Sequence, residues 1–180
     1  MHTLICGVTE SGKTTLARAL AAELEKAGEN LIVYDPVHTR TIKGGWPASS
    51  VIFSDQDSLF DYLSRDDVSD AHIFIDEAGD VFNLGQRYNM WLLTRGRHFG
   101  FSITMIAQRP KMIAPSARGQ VSRVYMFRLA QQDAREIGAD MGHSALEKIN
   151  LDKGDFLILD SGQASMKRAN IFKLLRSQPK

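Results

Sequence analysis

The stretch "GVTESGKT", Gly7 to Thr14, constrains this chain more than any other. It fits the spacing G-x-x-x-x-G-K-[ST] in full, and it stands between a short apolar run, "TLIC" (Thr3 to Cys6), and a segment with helical periodicity. The mechanism of the pattern requires that setting. Glycines let the backbone curl so that successive N–H groups point inward, and a helix starting at Lys13 adds the positive end of its dipole. A polyphosphate fits such a cradle. The predicted nucleotide-binding residues are therefore Gly7, Val8, Thr9, Glu10, Ser11, Gly12, Lys13, Thr14 and Thr15. Lys13 is directed to the β- and γ-phosphates and the Thr14 hydroxyl to Mg2+. Glu10 puts a carboxylate in the loop, where it would repel a polyphosphate, so it is expected to face solvent.

The helix predicted from Lys13 to about Lys26 carries Leu16, Ala17, Leu20, Ala21 and Leu24 on one stripe, and Gly28 is placed to end it. Further apolar runs read as strands: "LIVYD" (Leu31 to Asp35), "SVIF" (Ser50 to Phe53), "HIFID" (His72 to Asp76), "FSITMIAQ" (Phe101 to Gln108), "VSRVYMF" (Val121 to Phe127), "DFLILD" (Asp155 to Asp160) and "NIFKLL" (Asn170 to Leu175). Helical stretches are predicted after a Ser54 or Asp55 cap, over about Gln86 to His98, and over about Gln131 to Ile149. Strands alternating with helices predict an α/β fold with a mainly parallel sheet flanked by helices. The last two strands are expected to form a hairpin at "SGQ" (Ser161 to Gln163). At 180 residues one domain is the expectation.

"IFIDEAG" (Ile73 to Gly79) supplies the second half of a nucleotide site. Its strand delivers Asp76 to the same end of the sheet as the loop, where it would hold Mg2+. A carboxylate beside it, Glu77, can polarise an attacking water, which makes hydrolysis the predicted reaction. Gln108 ends the next strand. In a parallel NTPase sheet that strand lies between those carrying Gly7 and Asp76, which aims the Gln108 amide at the γ-phosphate or the water. His2, His38, His72, His98 and His143 show no metal-ligand spacing.

No apolar run approaches the ~18–20 residues that cross a bilayer, and a single cysteine, Cys6, fits a reducing compartment, so a cytoplasmic location is expected. Net charge is only +1, but it is unevenly spread. Residues 81–132 contain no Asp or Glu, while holding Arg87, Arg95, Arg97, Arg109, Lys111, Arg118, Arg123 and Arg128. That block is either a polyanion surface or a set of arginines paired with acids elsewhere in the fold.

Taken together, "GVTESGKT", "IFIDEAG" and "TRGRHFGFSITMIAQRP" resemble the FtsK–HerA superfamily of DNA-pumping ATPases, and most of all the genome-packaging ATPases of membrane-containing double-stranded DNA viruses. The likeness runs from the first strand to about Phe127. Where the family motif often has glycine, this chain has Glu10. The resemblance implies a RecA-like (ASCE) P-loop NTPase that binds ATP and Mg2+, with Lys13, Thr14, Asp76, Glu77 and Gln108 at the catalytic positions. It further implies a homo-oligomeric ring, typically a hexamer, that moves double-stranded DNA, with a capsid vertex protein or another protein as its anchor. Such a ring needs an arginine supplied in trans to the γ-phosphate. Arg97, Arg118 and Arg123 are the first candidates and Arg109 the fourth, while Arg87, Arg95 and Lys111 are candidates for DNA phosphate contacts.

Three other readings compete. A small nucleoside or nucleotide kinase suits the length, but Glu77 favours water as acceptor and no arginine-rich lid is visible. A GTPase-like switch lacks the Asn-Lys-x-Asp element. A filamentous-phage assembly ATPase shares the strand-Gln pattern, but usually carries a membrane segment.

Overall fold

The structure is a computed structural model and describes residues 1–37 and 45–177; His38 lies outside them, as does the side chain of Arg87. Eight strands, β1 (His2–Cys6), β2 (Asn30–Tyr34), β3 (Val51–Phe53), β4 (Ala71–Ile75), β5 (Ser102–Ala107), β6 (Val121–Met126), β7 (Asp155–Asp160) and β8 (Met166–Asn170), form one sheet in the order β3-β2-β4-β5-β1-β6-β7-β8. The first six are parallel and the last two antiparallel. The α-helices are α1 (Lys13–Lys26), α2 (Gln56–Leu63), α3 (Ala78–Val81), α4 (Trp91–Thr94), α5 (Pro115–Arg118), α6 (Gln131–Met141) and α7 (Ile171–Ser177).

The central strands are covered on both faces, so they read as unbroken apolar runs rather than alternating ones. Along β1, Leu4 and Cys6 enter the core on the face of α2 to α6, and Ile5 enters the core beneath α1 and α7. Leu16, Ala17 and Ala21 seal α1 onto that second core, with Leu20 and Leu24 partly buried beside them. Asp55 caps α2, its carboxylate accepting from Ser58 N at 2.8 Å. Among the described residues no helix is long and apolar enough to cross a membrane.

Three expected elements differ. "NIFKLL" is helix, not strand: Asn170 closes β8 and its Oδ1 accepts from the N–H groups of both Phe172 and Lys173 at 3.1 Å, an N-cap that starts α7. A short apolar run has no distinguishing period, and the capping Asn decides it. The stretch expected as one helix over Gln86 to His98 is instead a 3-10 turn (Arg87–Met90), α4, and a second 3-10 turn (Gly96–Phe99). The Asn89 side chain there donates to Val81 O at 2.9 Å, and the Phe101 ring packs against Gly96. The helix expected to reach Ile149 ends at Met141, where Gly142 turns left-handed and the His143 N–H closes onto Gly138 O at 2.8 Å.

The antiparallel finish supports the phosphate loop. β7 and β8 form a hairpin across Ser161 to Gln163 as expected, but its second strand is Met166–Asn170, which the sequence reading did not mark, and not "NIFKLL". Gly154, just before β7, donates its N–H to Ser11 O at 3.1 Å and accepts from Ile171 N at 2.9 Å, while Ile171 lies against Gly12. Gly154 has φ 87°, and a Cβ there would stand 2.5 Å from the Phe172 ring. Gly154→Ala is therefore expected to lower stability by about 1–2 kcal/mol from the left-handed backbone alone, read as a reduced urea midpoint, and to turn Phe172 out of its seat.

Candidate functional site

Adjacent strands bring the predicted residues together. The order β4-β5-β1 places Asp76 and Glu77, Gln108, and the loop from Gly7 at the carboxyl ends of three neighbouring strands, where ligands sit in open parallel sheets. The strand carrying Gln108 lies between the other two, as the sequence predicts.

The loop is held by the strand beside it. Val8 N donates to Arg128 O at 2.9 Å, and a Cβ on Gly7 would stand 2.5 Å from Phe127 Cβ, so only glycine fits there. The Lys13 ammonium donates to Val8 O at 3.0 Å, inside the curl of the loop. Glu10 is exposed, as expected, and has φ 60°. That left-handed conformation costs roughly 1–2 kcal/mol for a residue with a Cβ, which is the physical reason glycine suits the position. Thr14 lies half-buried in the first turn of α1.

Burial sets the electrostatics. It pulls Lys13 below the ordinary lysine range, opposed by the nearby Asp76 and Glu77 carboxylates. Burial likewise pushes the Asp76 carboxyl up to about 6, against the N–H of Glu77 that donates to it at 3.0 Å; Asp35 and Glu77 push the same way as burial. Cys6, at the end of β1, is fully buried, and burial pushes its thiol up, so it packs as an apolar residue rather than reacting.

Glu77 follows β4 at φ 50° and ψ 45°, a left-handed kink that breaks the strand direction straight after Asp76. Gln108 bridges the two halves of the site: Thr9 Oγ1 donates to Gln108 Oε1, and Gln108 Nε2 donates to Glu77 Oε1, both at 3.3 Å. Among the described residues no cluster of three or more His, Cys, Asp or Glu could hold a metal by itself. A Mg2+ here would take the Thr14 hydroxyl and Asp76 together with phosphate oxygens. The residues fit that group: the Asp76 carboxyl is buried, and a carboxylate deprived of water gains from a cation.

Asp35 escaped the sequence reading. It ends β2 beside β4 and is buried, accepting from Trp46 Nε1 at 2.8 Å and from Val37 N at 3.2 Å, with an Arg18 nitrogen 3.8 Å away. The acid at the end of "LIVYD" was the available signal, since parallel strands in one sheet aim their carboxyl ends to one side. The backbone role of Arg128 had no sequence signal.

The arginines separate into two groups. Arg109 forms a two-pronged pair with buried Asp133 at 2.7 and 3.1 Å. Arg118 donates to Asp140 at 2.6 Å and to Ile113 O at 3.0 Å, and Arg123 pairs with Asp160 across β6 and β7 at 2.6 and 3.2 Å. Arg123 also sits near the amino end of its strand, paired with Thr3, away from the loop that leaves the opposite end of β1. Arg95, Arg97, Lys111 and Arg128 are exposed, with no ion pair among the described residues. The acid-free block is thus part structure and part free cationic surface.

The sheet, the loop and the paired acids define the class: a P-loop NTPase domain. A family model described as Zonular occludens toxin (Zot) matches residues 3–140, which include the loop, Asp76, Glu77 and Gln108, and the chain belongs to that family. Among solved structures it is similar to the genome packaging NTPase B204 from Sulfolobus turreted icosahedral virus 2 in complex with ATP-gammaS, at 20% identity over 92% of this chain and 95% of that one, with a TM-score of 0.77. It is also similar to VirB4 of Thermoanaerobacter pseudethanolicus (11% identity, 94% and 88% covered, TM-score 0.71) and to the N-terminal domain of zonular occludens toxin from Neisseria meningitidis (18%, 94% and 92%, TM-score 0.57). At these identities the likeness is one of fold. No curated protein matches the chain by sequence.

The raised Asp76 gives a pH signature. Its ordinary value is 3.8 and its folded value about 6, so between the two the folded state holds a proton that the unfolded state has released. Stability of the nucleotide-free protein should therefore fall as pH rises through that window, by up to roughly 3 kcal/mol. Urea midpoints measured from about pH 4 to pH 7 should show this slope, and Asp76→Asn should flatten it.

Proposed function

We propose that this chain is an ATPase that moves double-stranded DNA, acting in the cytoplasm as a homo-oligomeric ring with nucleotide at its subunit interfaces. Residues 1–180 act as one ATPase domain. The observation that carries this reading is the convergence of Lys13, Asp76, Glu77 and Gln108 at one sheet edge, joined by the Thr9–Gln108–Glu77 hydrogen bonds.

Loop N–H groups and Lys13 bind the phosphates, and Glu77 takes a proton from the attacking water while Gln108 orients it. Thr14 and Asp76 would hold Mg2+ beside the phosphates, where it would supply positive charge against the charge that builds up during transfer. Support for a genome-packaging role comes from the fold shared with B204, itself a genome packaging NTPase. In that role a capsid vertex protein, or another protein, would anchor the ring. The kinase alternative is disfavoured because a carboxylate one residue past Asp76 and hydrogen-bonded to Gln108 is arranged to handle water.

Among the arginine candidates for the neighbour's γ-phosphate, Arg97 is preferred: it is exposed without an ion-pair partner among the described residues, while Arg109, Arg118 and Arg123 are engaged within their own chain. Arg95 and Lys111 remain available for DNA phosphates.

ATP hydrolysis should rise on adding double-stranded DNA, weaken steeply with salt, and depend on protein concentration as light scattering reports assembly. Glu77→Gln should keep ATP binding and lose about 100-fold or more in turnover, and Lys13→Ala should lose binding itself. Equal turnover by a dilute monomer with and without DNA would remove the motor reading.

A further inference from the structure

Thr9 contributes more to the loop than a backbone amide. Its hydroxyl donates to Gln108 Oε1, and the Gln108 amide nitrogen donates to Glu77 Oε1. A carboxylate only accepts, so the amide must turn its NH2 side toward Glu77 and leave its oxygen facing the loop. The Thr9 hydroxyl satisfies that oxygen. Both ends of one amide are thereby assigned, one by the phosphate loop after β1 and one by the acid after β4, with β5 carrying the amide between them.

We propose that Thr9 is a positioning residue for hydrolysis: its hydroxyl anchors the Gln108 amide in the orientation that the Glu77 carboxylate selects, and the amide in turn holds the Glu77 carboxylate toward the phosphate loop. This rests on the reading of Glu77 as the group that activates water. Both links are 3.3 Å, longer than the usual 2.9–3.0 Å, and Thr9 and Gln108 are exposed. Each link is therefore a weak hydrogen bond, of the kind that shortens when substrate excludes water. A shift of the loop around a γ-phosphate reaches Glu77 through two hydrogen bonds.

Thr9→Val keeps the branched shape and removes the hydroxyl, whereas Thr9→Ser keeps the hydroxyl. Because the loop N–H groups are unchanged, Thr9→Val should bind a non-hydrolysable ATP analogue with Mg2+ within about threefold of the parent by calorimetry, yet lose about tenfold in single-turnover hydrolysis. Thr9→Ser should recover most of that rate. In a Gln108→Ala background Thr9→Val should have no further effect, since residues acting through one another are not additive. A readout independent of turnover is the side-chain NH2 resonance of Gln108, assigned by its loss in Gln108→Ala; Thr9→Val should shift it and Thr9→Ser should not.

An undiminished tenfold loss in the Gln108→Ala background, or a Gln108 resonance indifferent to Thr9→Val, overturns the relay while leaving the ATPase reading intact. A parent protein that turns over no ATP overturns both, and that result is seen before any variant is compared.

Discussion

The site depends on a loop whose curvature is imposed from outside it. A phosphate cradle is a row of backbone N–H groups facing inward, and nothing in seven or eight residues of irregular chain fixes that row by itself. Here β6 and the segment after it do so. Val8 is tied to the Arg128 carbonyl, the Phe127 side chain leaves room only for a glycine at position 7, and Gly154 reaches Ser11 from the far side. Lys13 then fills the curl by bonding Val8 O, holding its charge where phosphates would take it over.

Burial makes that arrangement electrostatically incomplete. The cation of Lys13 and the carboxyl of Asp76 are both partly deprived of water, and burial opposes the charged form of each. Asp35, buried one strand away, pushes the Asp76 carboxyl up as burial does. A bound polyphosphate would give the loop negative charge, and a divalent metal held with it would give the acids positive charge. Binding strength in such a site comes from relieving charges that folding has already desolvated, and part of the folded state's stability is given up to hold them there.

The arginine-rich block shows how a charge count misleads without distances. The acids that neutralise Arg109, Arg118 and Arg123 all lie after residue 132, outside the block, so a linear window sees a cationic stretch where the fold has built cross-links. Arg109 ties the end of β5 to the first turn of α6, and Arg118 ties α5 to the same helix. Among the described side chains of the block, Arg95, Arg97, Lys111 and Arg128 are exposed without an ion pair.

The sequence by itself determined the phosphate loop, the strand delivering Asp76 and Glu77, the place of Gln108 and the parallel α/β architecture. Each of these is written in contiguous residues as glycine spacing, unbroken apolar runs and the polar residue that ends them. It misread "NIFKLL", because a four- to six-residue apolar run carries no period of its own and the Asn170 cap outweighs it. Only the tertiary structure decided which arginines are free, that Asp35 joins the acidic edge, and that the Thr9 hydroxyl meets Gln108. Those facts depend on side chains tens of residues apart being brought within hydrogen-bond reach, and packing of the whole sheet sets that distance.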